Sequence, residues 1–314
     1  MGIYEFGEPD LAAYVRYVAG FCLRYFAVAG GLCWFFHVWG RGDWLPYRIQ
    51  QSFPGRRELA HEIRWSMSNA VCTGASTLFL LRLVRDGHTR MYFDAMDRGW
   101  AYFALSVLLG VAGYDAWFYW QHRLLHTRWL FRQAHVIHHR VTNPTPFATF
   151  AHHPVETFLG NAFFILFLTA VPMHPAALAL VGSAIVAFGI VAHLGYELYP
   201  TGFTRHGILG WLNTATHHNM HHSEVRCNYG LALNWWDRWM GTNHPAYLAT
   251  FDAMKARLVA ASVFNYLGPP VVAPDPRTSS GDVGIRNARP VPLSHGLGRE
   301  EEDLSASFPV QVTP

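Results

Sequence analysis

The sequence predicts an all-α integral membrane protein. It has about three spanning helices plus a helical hairpin, with a cytoplasmic, histidine-rich helical cap that holds a di-metal site. Three observations carry this expectation. Only 14% of the 314 residues are charged, against roughly 25% in soluble globular chains. The apolar residues gather into runs of spanning length. Fourteen of the nineteen histidines lie between His122 and His222, most of them in short clusters. Abundant aromatics (12 Trp, 14 Tyr, 22 Phe) suit the interfacial belts of a membrane protein. A net charge of +3 is too small to argue for nucleic acid. Cys22, Cys33, Cys72 and Cys227 form no CxxC pair and read as buried thiols.

Taken in order, Leu11 to about Val38 is a first span, interrupted only by Arg16 and Arg24. Its Gly30-Gly31 pair permits either a close helix contact or a bend. The start of the chain (Glu5, Glu8, Asp10) is acidic, unlike a signal peptide, so this span is expected to stay. Residues 39–65 are turn-rich, carry five arginines and read as a surface loop. Met67–Val84 is a second span, and Trp100 to about Trp120 a third that runs into His122. Val155–Val171 and Ala176–Ala192 form a hairpin about Pro172-Met-His-Pro175, which returns the chain to the side it left. Three spans and a returning hairpin put both arginine-rich regions on one side, cytoplasmic by the positive-inside rule. The domains expected are 1–65 (first span and Arg-rich loop), 66–267 (membrane metal domain) and 268–314 (disordered tail).

On a helix, residues three or four apart share a face, with Cβ atoms about 5–6 Å apart. His122 and His126 can therefore aim at one metal. His135, His138 and His139 form an i, i+3, i+4 triplet, and His218, His221 and His222 repeat it. With the His152-His153 pair and His193 this makes more imidazoles than one metal takes, so two metals are expected. Imidazole suits Fe, Zn, Cu and Ni, and structural zinc would favour four ligands with cysteine. An all-histidine set of this size fits a dinuclear redox centre. His37, His61, His88, His174, His206, His244 and His295 stand alone and read as ordinary core or interface residues. His153 and His217 are possible further ligands.

These residues, in this order, resemble the fatty acid hydroxylase/sterol desaturase superfamily of membrane non-haem di-iron enzymes. The resemblance covers about residues 60–245. It runs from Asp115-Ala-Trp-Phe-Tyr-Trp-Gln-His122 through the first two boxes to Pro144-Thr-Pro-Phe and His153-Pro-Val-Glu156. It continues with His193-Leu-Gly-Tyr-Glu197, the third box, Asn228-Tyr-Gly230 and Trp236-Asp-Arg238. The Pro-Thr-Pro-Phe and His-Pro-Val-Glu elements look most like the sterol C-5 desaturase branch. The resemblance implies metal ligands at His122, His126, His135, His138, His139, His218, His221 and His222. His193 best resembles the extra ligand between the second and third boxes, with His153 its rival. Where some relatives place a further histidine, this chain has Glu197. Asp115 lies on the same helix face as His122 and could accept from a ligand imidazole; a helix–helix hydrogen bond is an equal reading.

The resemblance further implies two iron ions, O2 as co-substrate and a lipid substrate, sterol-like by branch, that is hydroxylated or desaturated. Electrons are expected from a separate donor, cytochrome b5-like or a ferredoxin/reductase, because no haem domain, flavin fingerprint or iron–sulfur cysteine set is seen in the chain. Arg123, Arg128 and Arg132 could offer it a basic surface, though a solvated or lipid-headgroup face is the more common use of such arginines. Two rival classes are a membrane haem electron-transfer protein and a non-catalytic metal-binding membrane protein. The first needs isolated histidines in facing spans, and the second usually places polar ligands in mid-span. Here the histidines instead lie in tight clusters at helix ends, and no mid-span ligands are found in 155–192.

Overall fold

The computed structural model describes residues 9–94 and 97–267. The expected 268–314 tail and the acidic Glu5 and Glu8 lie outside the described residues. Among the described residues four helices are long and apolar enough to cross a membrane: α1 (Leu11–Trp39), α2 (Arg56–Arg85), α3 (Gly99–Leu125) and α6 (Pro175–Ala192). Between α3 and α6 lie α4, a run of Arg128–Leu130, Phe131–His135 and Val136–His139, and the apolar α5 (Pro154–Ala170). After α6 come α7 (Ala215–Glu224), α8 (Trp235–Trp239) and α9 (Tyr247–Leu267). Among the described residues the only β pairings are three isolated bridges, one of them Arg48 with Tyr196.

α1 is longer than a bilayer needs and is wound wide at Phe26–Gly30 and Phe35–Trp39. These π turns absorb the freedom that the Gly30-Gly31 pair signalled. Below them α1 lies close on α2: a Cβ at Gly74 would sit 2.8 Å from both Tyr14 and Val18 side chains. α3 and α6 approach in the same way, with a Cβ at Gly110 only 2.6 Å from Val181. Leu168, Met173, Ala177 and Val181 form the core of that contact. Large apolar side chains such as Leu23, Leu108, Leu166 and Leu180 remain exposed on the outer faces of these helices, as a lipid environment allows.

The second span starts earlier than its apolar run. Gly55 caps α2 and donates its N–H to Glu58 three positions on, at 2.7 Å. About three polar turns therefore precede Met67, where the sequence reads as loop. Their buried Glu62 accepts from the hydroxyl and backbone N–H of Thr145. This ties the helix to the segment that follows the second histidine cluster.

The hairpin is built by two proline-led helices. Pro154 and Pro175 take first-turn positions, and the preceding His153 and His174 accept from Val155 N and Ala176 N. With 17 residues α5 is about 26 Å long, short of the ~30 Å apolar core of a bilayer. The hairpin brings the start of α5 and the end of α6 to the same end of the bundle as the α3 C-terminus. The second and third histidine clusters cap that end.

Candidate metal centre

The cap brings nine histidines together as two groups. His122, His126, His135, His139 and His221 make one; His138, His193, His218 and His222 make the other. Within each group one ligand atom per residue lies within 4.8 Å of all the others. The helices explain the division. On α4, His135 and His139 are one turn apart and face the first group, while His138 turns to the second. On α7, His218 and His222 share the second group and His221 crosses to the first.

α7 is placed by its first turn. Thr214 accepts from His217 N at 3.3 Å, and Glu197 accepts from the N–H and hydroxyl of Thr216 at 2.9 and 2.8 Å. After the helix, Val225 takes a left-handed conformation (φ 65°), costly for a β-branched residue. The resulting turn delivers the Cys227 carbonyl to His221 Nδ1 at 2.6 Å. Asp237 holds the next loop by accepting from Tyr229 N and Gly230 N at 2.8 and 2.7 Å. A Cβ at Gly230 would stand 2.5 Å from the Leu233 carbonyl, so this loop requires glycine.

Burial decides the protonation. It pushes His135, His193 and His222 down to about 3, and His138, His139, His218 and His221 well below the ordinary histidine value. A neutral imidazole has one N–H and one lone pair. The Nδ1–H groups of His122, His193 and His222 donate to the carbonyls of Tyr229, Gly189 and Val141 at 2.8, 2.7 and 2.7 Å. That of His138 donates to Ala151 O at 3.4 Å, and that of His135 to the Glu156 carboxylate at 3.0 Å.

Their Nε2 lone pairs therefore point inward with nothing to share. His122 and His135 bring Nε2 atoms to 3.0 Å, His193 and His222 to 3.3 Å, and His138 and His193 to 3.4 Å. His221 Nε2 is buried without any hydrogen-bond partner among the described residues. Lone pairs this close repel unless a cation lies among them. The donor set thus fits metal ions, and carbonyl or carboxylate acceptors hold His122, His135, His138, His193, His221 and His222 in the ligating tautomer.

A third cluster, Glu224, Cys227 and His244, lacks this signature. His244 Nδ1 accepts from Ala246 N at 3.1 Å, so its proton sits on Nε2, which donates to Glu224 at 2.8 Å. No inward lone pair is left there.

The other residues singled out by sequence stand outside both groups. His153 caps α5 and packs beside Trp65. His217 turns to Asn243 at 3.1 Å and lies on Tyr247. Asp115 accepts from Ala232 N, Leu233 N and Trp235 Nε1 at 2.8–3.1 Å, with no imidazole among its partners. Glu197 serves the α7 N-terminus. His152 lies at the edge, its ring 5.1 Å from that of His138. The residue that sequence reasoning passed over is Glu156, buried at the start of an apolar helix and bonded to His135. An acid at the head of such a helix, three residues after His153, was the available signal.

A cavity of about 840 Å³ opens beside the groups among α1, α2, α3, α5 and α6, within the range of small-molecule sites. A smaller annex shares Tyr114, Phe118, Phe150, His152 and Glu156 with it and reaches His122, His138, His193 and His218.

Residues 107–242 match the model of the family described as fatty acid hydroxylase, a stretch that contains all nine histidines. Curated relatives include a Delta(7)-sterol 5(6)-desaturase of Gibberella zeae, 30% identical over 55% of this chain and 52% of its own. A lathosterol oxidase of Rattus norvegicus is 29% identical over 61% of this chain and 63% of its own. Methylsterol monooxygenase 1 of the same species is 31% identical over 49% and 52%. The chain thus spans about half to just under two thirds of the length of these relatives. No solved structure matches it. It is this histidine-bearing stretch, rather less than half of the chain, that matches the fatty acid hydroxylase family.

Proposed function

We propose that the protein is a membrane-bound di-iron oxidoreductase that hydroxylates or desaturates a sterol-like lipid with O2 and externally supplied electrons. The observation that carries this reading is the convergence of unprotonated Nε2 atoms in two adjoining groups, with a lipid-sized cavity against them. Five histidines (His122, His126, His135, His139, His221) would hold one iron and four (His138, His193, His218, His222) the other. Bound there, two irons supply O2 activation and the oxidising power needed for an unactivated C–H bond.

The chain's own residues do the rest. The Tyr229, Val141, Gly189 and Cys227 carbonyls and the Glu156 carboxylate orient the imidazoles. The cavity wall takes the lipid out of the membrane and brings it past Phe118 and Phe150 to the annex, away from bulk water. The named activities of the relatives, sterol desaturases and a methylsterol monooxygenase, support a sterol-like substrate. The arginine bias supports a cytoplasmic site, and the exposed Arg123, Arg128 and Arg132 near the cap offer an electron donor a basic surface.

Metal analysis of protein purified after growth with iron, together with lipid mass spectrometry of cells with and without it, tests the reading. Two irons per chain are expected, with a lipid changed by one added oxygen or two lost hydrogens. Protein without iron, and conversion that survives His138→Ala, would refute it.

A further inference from the structure

We infer that the α2–α5 wall of the cavity selects its lipid by a single hydroxyl group, held between Asn69 and Asn161. The inference rests on the lipid-oxidising role proposed above. On that wall the Thr157 hydroxyl donates to Asn69 Oδ1 at 2.7 Å. Asn161 Nδ2 reaches the hydroxyls of Thr73 and Ser76, both at 3.3 Å. Asn69 and Thr73 stand one turn apart on α2, as do Thr157 and Asn161 on α5, and all four line the cavity.

Interhelical hydrogen bonding in a membrane explains the bonds that are made. It does not explain the capacity left over. Asn69 is only 4% exposed and Asn161 is half-buried; among the described residues the Asn69 amide nitrogen donates to nothing and the Asn161 carbonyl oxygen accepts from nothing. Buried polar groups are almost always hydrogen-bonded. An occupant of the cavity that brings an acceptor to Asn69 and a donor to Asn161 satisfies both in place of water. A hydroxyl does both; a carboxylate offers acceptors alone and would face the Asn161 oxygen; a hydrocarbon offers neither. If both amides were turned over, the pair would still present one donor and one acceptor.

The position also sets the lipid's direction. Thr157 follows Glu156, the acceptor of His135, and Asn161 lies about 6 Å further along the helix. The hydroxyl end is thus held toward the histidines, and the hydrocarbon runs along Leu178, Gly182 and Ile185 of α6.

Competition binding on the full chain in phosphatidylcholine nanodiscs tests this, with two probe sets: cholestanol against cholestane, and hexadecanol against hexadecane and hexadecanoate. In at least one set the alcohol should bind about tenfold more tightly than its counterparts, the worth of one good hydrogen bond. Asn69→Leu and Asn161→Leu should each remove that preference. Thr73→Val, which disturbs the same seam but leaves both free amide ends, should keep it, and bound metal per chain should be unchanged in all three. No alcohol preference in either set, a preference that survives both asparagine substitutions, or equal loss in Thr73→Val would overturn the inference. The binding readout needs no turnover. An alcohol preference without metal-dependent oxidation keeps the hydroxyl site and sinks the oxidase reading; oxidation without the preference does the reverse.

Discussion

The two histidine groups share α4 and α7, but the end of α3 completes one and the end of α6 the other, and they differ in what surrounds them. The five-histidine group is largely walled off from the cavity. Only His122 among its members reaches the cavity annex, and His135 is bonded to a carboxylate. The four-histidine group has three members, His138, His193 and His218, on the annex wall. It has one donor fewer and an open side. A metal with an open position is one that can take O2 or substrate, whereas a closed donor set holds and tunes. On the proposed function, the four-histidine group meets the substrate and the five-histidine group steadies the pair.

The sharpest way to break that comparison is to remove the hub of the open group. His193 Nε2 lies 3.1–3.4 Å from those of His138, His218 and His222. His193→Ala should abolish lipid conversion, by more than about a hundredfold since loss of an outer partner alone costs 10–100-fold, and should lower bound iron toward one per chain. Mass spectrometry and metal analysis read the two effects separately. Retained conversion would mean that the groups are not divided as drawn.

A smaller effect belongs to the closed group. Glu156→Gln keeps the shape but removes the charged acceptor of His135 Nδ1. A drop of about ten- to a hundredfold in metal affinity is expected, confined to one of two sites in a metal titration. Equal weakening of both sites would show that the groups act as one.

Acid tests what the groups share. In the unfolded chain a histidine titrates near 6.5, whereas burial holds His135 in one group, and His193 and His222 in the other, at about 3. Between those values the unfolded state binds more protons, so stability falls as pH drops. The contribution is complete above about 6.5 and is lost progressively toward 3. Thermal unfolding of the metal-free protein should therefore weaken steadily below pH 6.5, and the loaded protein should release metal from both groups over the same range. Release from one group alone would set them apart in a way their shared burial does not explain.

The smallest change should come from the third cluster. His244→Gln is expected to leave metal content and conversion within about twofold of the parent, since surface changes cost little. Loss of a bound metal on that substitution would place a ligand where the hydrogen bonds argue against one.

Much of this was legible along the chain because it depends on local periodicity. Apolar runs long enough to span and histidines repeated at helical spacing are properties of neighbours in sequence, and they announced the helices, the hairpin and all nine clustered histidines. The start of α2 was hidden because Arg56–Trp65 lacks an apolar period; its helix is held by the Gly55–Glu58 cap and by Glu62 on Thr145. Asp115 read equally as a partner for an imidazole, since it shares a face with His122, or as a helix–helix hydrogen bond. The 232–235 loop claims it instead, across more than a hundred residues.

The sequence alone, then, determined a membrane protein with enough imidazoles for two metals, because helix spacing and span length are written residue by residue. Only the tertiary structure decided how each triplet divides between the two groups, that Glu156 rather than Asp115 or Glu197 meets a ring nitrogen, and which group opens to the cavity. Those outcomes depend on where carbonyls and carboxylates from distant segments arrive, and no local pattern encodes that.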